Sequence, residues 1–141
     1  MQYVRLTDQL SMLGVVLTAK YVNTRRINAE SVKERVSSLI GSWKSGRFMP
    51  LSQRPWSLNS YALPLVWYKC GSIDLRESDY TKLTSLIKSW MYGDLLEKPE
   101  ELCLYRGRKQ GGLGLHHLKS KATAILIRSF LNSCQSEVSQ K

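Results

Sequence analysis

Acidic residues are scarce in this chain and missing from one whole stretch of it: between Cys103 and Phe130 there is no Asp or Glu, against six Lys and Arg. Overall, 21 Lys/Arg face 11 Asp/Glu, a formal charge of +10. Such an excess speeds encounters with nucleic acid or anionic membranes and does not dictate a fold. No two aspartates are adjacent, and the one adjacent acidic pair, Glu100 and Glu101, follows Pro99 at an expected helix start, where carboxylates favour the positive end of the dipole. Cysteine is equally sparse. Cys70, Cys103 and Cys134 are odd in number and widely spaced, which excludes a disulfide framework and a Cys-x-x-Cys knuckle and reads as three buried or indifferent thiols in a reducing compartment. His116 and His117 are neighbours and so point to different sides of a helix; with Cys103 and Cys134 they match no structural zinc spacing. No apolar run reaches the roughly 18 residues of a membrane span. The apolar stretch 12–19 contains Gly14 and Thr18, follows Asp8 and lacks a cleavage site, so it does not read as a secretory leader.

What is present is unevenly placed. Residues 1–70 hold ten cations and three acids (10 − 3 = +7), and residues 71–141 hold eleven and eight (11 − 8 = +3). A length of 141 residues suits one domain that buries about 68 to 70% of the surface its unfolded chain exposes. The most informative segment is 105–130, YRGRKQGGLGLHHLKSKATAILIRSF, where a glycine turn joins a cationic strip to an amphipathic helix. Arg106, Arg108 and Lys109 precede Gly111, Gly112 and Gly114; Lys119, Lys121 and Arg128 follow. Glycines let a backbone take positive φ and approach a partner closely, and the helix start offers N–H groups that favour anions. The turn lacks the Gly-x-x-x-x-Gly-Lys-Ser/Thr and Gly-x-Gly-x-x-Gly patterns, so no nucleotide cofactor is implied. No Ser or Cys comes with a paired base and orienting group, so nucleophilic catalysis has no support.

Along the chain, residues 13–17 read as a short β-branched strand whose partners are absent, expected to fray, to pair in a small hairpin or to join a helix. Residues 20–28 read as a loop exposing Arg25 and Arg26. A helix begins near Ser31, with Val32, Val36, Leu39, Ile40 and Trp43 on one stripe. Its cations, with Lys44, Arg47 and Arg54, are either a solvated face or phosphate contacts. Pro50 and Pro55 bracket a break, and Leu58, Ala62, Leu65 and Val66 mark a second helix bent at Pro64. Trp56, Tyr61, Trp67 and Tyr68 suit base stacking, but large aromatics on an apolar helix mostly fill cores, and core is the favoured reading. Asn59 reads as a buried hydrogen-bonding residue. A third helix, capped by Ser78 or Asp79, carries Tyr80, Leu83, Leu86, Ile87, Trp90 and Met91 and stops at Gly93. A turn of helix is expected over 99–102, and a last helix over 118–134 packs Leu118, Ala122, Ile125, Leu126, Phe130 and Leu131. The fold class is therefore mainly α, a small bundle of about four helices with a short N-terminal strand or hairpin.

Two blocks carry a family resemblance. The Gly111-Gly112-Leu113-Gly114 turn before a long helix, and the block 40–68, IGSWKSGRFMPLSQRPWSLNSYALPLVWY, resemble the end of the reverse transcriptase region of LINE-type (non-LTR) retrotransposon polyproteins, and Leu13-Gly14-Val15 is similar to the strand that follows the palm there. The similarity runs over about residues 12–133. It implies a non-catalytic thumb and linker: polymerase chemistry needs carboxylates holding two metals, the family supplies them through an aromatic-x-Asp-Asp motif, and this chain has none. The implied organisation is a palm-edge remnant over 1–30, a helical thumb/linker-like domain over 31–134 and a disordered polar tail over 135–141. The implied partners are the backbone of an RNA or DNA duplex and the palm upstream, with no membrane and no cofactor. By the resemblance, the phosphate contacts are Arg25, Arg26, Lys44, Arg47, Arg54, Arg106, Arg108, Lys109, Lys119 and Lys121, while Trp43, Asn59, Gly111, Gly112 and Gly114 shape the scaffold. The alternative is a helical protein-interaction module or an inert relic of a mobile element.

Overall fold

The computed structural model describes residues 9–46, 48–93, 95 and 97–138, with side chains in the last helix described as far as Gln135. It is mainly helical, with an antiparallel hairpin of β1 (Gln9–Met12) and β2 (Val15–Thr18) at its start. Met12 faces Val15 across a two-residue turn in which Leu13 (φ 50) and Gly14 (φ 78) are both left-handed. That is the geometry whose twist matches a hairpin. Leu13 and Gly14 therefore belong to the turn and not to a strand. The outward side of β2 does not fray, because helix α1 (Tyr21–Ser45) supplies its partners. Asn28 accepts the Val16 N–H through Oδ1 (3.1 Å) and donates Nδ2 to the Val16 carbonyl (2.7 Å), while Thr24 Oγ1 accepts the Thr18 N–H (2.8 Å). One amide side chain thus stands in for a third strand.

Those same residues explain why α1 starts at Tyr21 and not near Ser31. Its first turns bury Thr24, Asn28 and Ala29, which leave no hydrophobic stripe to read, so the loop expected over 20–28 is helix. The expected boundary at residue 30 falls inside α1, which continues through it. Farther along, Val32, Val36 and Ile40 are buried and Leu39 and Trp43 pack at the margin, as the stripe predicts.

The bent segment consists of α2 (Arg54–Ser57), a π-helical turn (Leu58–Ala62) and α3 (Leu63–Cys70). Pro64 has no N–H to give residue 60 and its ring clashes with that carbonyl. The chain widens just before it, and Leu63 N–H reaches back five residues to the Leu58 carbonyl. The kink takes the form of a π turn. Its inner side, Leu58, Ala62, Leu63, Val66 and Cys70, is fully buried, with the segment packed on α1 and Cys70 Sγ 3.5 Å from the Tyr80 hydroxyl of α4 (Glu77–Tyr92). In α4 the stripe of Tyr80, Leu83, Ile87, Trp90 and Met91 is buried with Leu86 at the edge, and the Asp79 carboxylate accepts the Arg76 N–H (3.3 Å) at its start.

α4 ends before Gly93, but Gly93 is right-handed (φ −52), so no left-handed glycine closes the helix. Arg54 does instead. Its Nη1 donates to the carbonyls of Trp90 (2.9 Å) and Met91 (3.1 Å), and its Nε to Met49 O (3.0 Å). A glycine-type cap would satisfy those same end carbonyls of the helix.

α5 (Glu101–Tyr105) and a 3₁₀ turn (Arg108–Gln110) lead to α6 (Leu118–Val138). Leu118 and Ala122 are buried and Ile125 packs on the core. Phe130 (68% exposed) and Leu131 (53%) do not pack, contrary to the sequence expectation. Ile127 lies nine residues beyond Leu118, two and a half turns on, and so on the opposite side of the helix; Phe130 and Leu131 share that outer side with it. The tail expected over 135–141 is still helical to Val138, and residues 139–141 lie outside those described.

Candidate nucleic-acid interface

The glycine turn folds back on α5 through main-chain bonds: Leu113 N–H to Cys103 O (2.9 Å), Gly114 N–H to Arg106 O (2.8 Å) and Leu115 N–H to Leu104 O (2.8 Å). Gly111 (φ 79) and Gly114 (φ 70) occupy the left-handed region, and any Cβ on Gly112 would overlap the Arg106 carbonyl. Three glycines are therefore required where three occur. Leu115 is buried and Leu113 half-buried, so the turn plugs into the core while Arg106, Arg108 and Lys109 stay outside. Asn59 fixes its position: Nδ2 donates to Gly114 O (2.8 Å) and Oδ1 accepts the His116 N–H (3.0 Å). This is the hydrogen bonding expected of it, but Asn59 is half-buried where the sequence reading has it buried. Arg108 Nη2 also donates to Ser52 O (2.9 Å), tying the cationic strip to the loop before α2.

One donor at the start of α6 is taken by a side chain of the protein itself. His117 Nδ1 accepts the Ser120 N–H (3.2 Å), occupying a donor that was expected to be open to phosphate. His116 is held below its ordinary pKa by burial first and then by the nearby Lys121 cation.

The ten predicted contacts do not form one surface. Arg54 is 6% exposed and held by three main-chain carbonyls, so it leaves the phosphate set. Arg47 lies outside the described residues. Arg25 pairs with Asp74 (3.3 Å) and stacks over Tyr21, and Arg26 lies 3.8 Å from Glu30. Nineteen residues of α1 separate Arg25 from Lys44, about 28 Å at 1.5 Å per residue, so Arg25 and Arg26 sit at one end of the helix and Lys44 at the other. Lys44 is exposed beside the loop that Arg108 meets. Lys119 and Lys121 also diverge, being two residues apart on a helix. Lys119 pairs with Glu77, whereas Lys121 Nζ sits over the Trp67 ring, 3.8 Å from its centroid.

A pattern in the acids organises what remains. Residues 35–73 contain no Asp or Glu, and neither do residues 102–136; together they carry eleven cations. The structure packs these two acid-free segments on each other, through Asn59 on the glycine turn, Arg108 on Ser52 and Lys121 on Trp67. Apart from Asp8 and Glu137, the acids lie at Glu30 and Glu34 on α1, at residues 74–79 and at 94–101. A groove of about 810 Å³ between α4 and the start of α6 belongs to that other side: Glu77 and Glu101 line it and already pair with Lys119 and Lys88. The gap at 35–73 is visible in the sequence but acquires meaning only when the fold places it against 102–136.

The aromatics also differ from expectation. Trp67 is buried, but Trp56 (57% exposed), Tyr61 (56%) and Tyr68 (57%) point outward. The signal for this was the split between Leu58, Ala62 and Val66 on one side and three large rings on the other. Trp43 is half-buried and tilted at 37° on Trp90, 4.9 Å between centroids. No protein-family profile, no curated protein and no solved structure matches the chain.

Proposed function

We propose that this chain is a non-catalytic nucleic-acid-binding module that grips the sugar-phosphate backbone of an RNA or DNA duplex without reading its sequence, and that it is the thumb and linker part of a LINE-type reverse transcriptase without its palm. The observation that supports this best is the packing of the two acid-free segments, 35–73 and 102–136, the second of which carries Arg106, Arg108, Lys109 and Lys121. Such a surface attracts polyanions whatever their sequence, since phosphate contacts position and base contacts specify. The glycine turn holds its cations on a main chain fixed by Asn59, so the strip is ordered before it meets a ligand. Titration of a duplex and an RNA–DNA heteroduplex at two salt concentrations tests this. If six phosphates are engaged, log affinity falls with log salt at a slope of about −5.

A second reading, a protein-interaction module or relic that once lay against a palm, draws on the outward apolar residues Ile127, Phe130 and Leu131 of α6 and Leu10, Met12 and Leu13 of the hairpin. Exposed apolar patches of this kind mark association surfaces. Absence of nucleic-acid binding at micromolar protein, or binding indifferent to salt, selects that reading.

A further inference from the structure

The π turn before Pro64 does more than relieve a proline. Tyr61, inside the turn, meets Trp56 of α2 just before it, their rings 6.0 Å apart and edge to face at 80°. Seven residues on, two α-helical turns or about 10.5 Å, Tyr68 continues the row. Its hydroxyl donates to the Leu13 carbonyl (2.6 Å), which steadies it against the hairpin. All three rings are more than half exposed while the opposite side of the segment, Leu58, Ala62 and Val66, is fully buried. The core has no use for these aromatics.

Their surroundings identify an occupant. Asn59, on the same π turn, holds the glycine turn along the flank of the row, and Arg108 reaches the loop just before Trp56. Lys121 covers Trp67, the residue preceding Tyr68. No Asp or Glu occurs in either segment that builds this face. Aromatic faces accept any base, and cations beside them accept the phosphates that join the bases. A duplex hides its base faces in the stack and leaves such rings idle; an unpaired strand uses both halves of the surface.

We propose that Trp56, Tyr61 and Tyr68 form a stacking platform for unpaired nucleotides, so that the polymer this face takes is a single strand, or the single-stranded extension of a duplex held by the neighbouring cations. The inference rests on the nucleic-acid reading above and adds the class of strand. The test compares the unaltered chain with the double substitution Trp56→Ala, Tyr61→Ala by anisotropy titration of a labelled oligo(dT), a blunt duplex and polyglutamate, with circular dichroism confirming that both proteins are equally folded. Loss of two stacking rings should weaken oligo(dT) binding about tenfold or more while duplex affinity stays within about twofold, and Trp56→Phe should retain most of the oligo(dT) affinity. Equal weakening on oligo(dT) and duplex, or none on oligo(dT), overturns the platform and leaves the duplex grip standing. Polyglutamate binding that falls in step with oligo(dT) also overturns it, in favour of an acidic protein partner. If the unaltered chain binds neither nucleic acid, the proposed function fails and the platform with it.

Discussion

At the scale of single residues, Arg54 shows how composition misleads. In the sequence it is one cation among several in a basic stretch; in the fold it closes the end of α4 by taking the Trp90 and Met91 carbonyls. Arg54→Met should therefore lower stability by roughly 1–3 kcal/mol, the cost of leaving buried acceptors unpaired, and should leave the salt dependence of nucleic-acid binding unchanged. Urea denaturation beside a duplex titration checks both halves. His116 gives a prediction in pH. Its folded-state pKa lies below 6.5, because burial and Lys121 disfavour its charged form. Between that folded value and 6.5 the unfolded chain binds more protons, so stability falls as pH drops through this window; the contribution of His116 is complete above 6.5 and gone below the folded value. A pH series of unfolding midpoints should show this decline, and His116→Gln should flatten it. Asn59 was legible as a hydrogen-bonding residue, but nothing in the sequence named its partners, fifty-five and fifty-seven positions away.

At the scale of elements, legibility followed hydrophobic periodicity. The stripes of α4 and of the second half of α1 could be read directly, since Val32, Val36, Ile40, Leu83 and Ile87 recur at helical spacing and are buried where that spacing puts them. The first turns of α1 were hidden because Thr24 and Asn28 are buried for their polar atoms, which serve β2. The end of α6 failed differently. Its apolar residues have helical spacing, but the stripe shifts to the far side after Ile125, and periodicity does not say which side meets the core. Phe130→Ser with Leu131→Ser should accordingly change stability by no more than about 0.5 kcal/mol and reduce self-association, as read by light scattering at high protein concentration. Trp43 reads in the sequence as a core ring, whose removal costs about 3 to 5 kcal/mol when fully buried, but in the fold it is half-exposed and stacked on Trp90. Trp43→Ala should cost about 2 kcal/mol in urea denaturation, from partial burial and one aromatic pair.

At the scale of the whole molecule, the determining feature is where carboxylates are not. The net charge of +10 was plain from composition, but its direction was not. Arg25 and Arg26 are separated from Lys44 by the length of α1, and Lys119 turns to the acidic side while Lys121 stays with Trp67. The face comes from the packing of 35–73 against 102–136, a long-range fact that no local pattern encodes. Because the strip at Arg106, Arg108 and Lys109 projects from a turn held by main-chain bonds, removing its side chains costs the fold only the exposed bond from Arg108 to Ser52. The most direct measurement is the slope of log affinity against log salt for a mixed-sequence duplex, before and after Arg106→Ala, Arg108→Ala and Lys109→Ala are combined. A backbone grip predicts a slope of about −5 that shrinks by about 2.7, at ~0.9 for each phosphate no longer neutralised, equally on every sequence tried and with stability lowered by no more than about 1 kcal/mol, the cost of the lost bond from Arg108 to Ser52. A slope near zero in the unaltered chain, or one that the triple substitution leaves where it was, contradicts that grip.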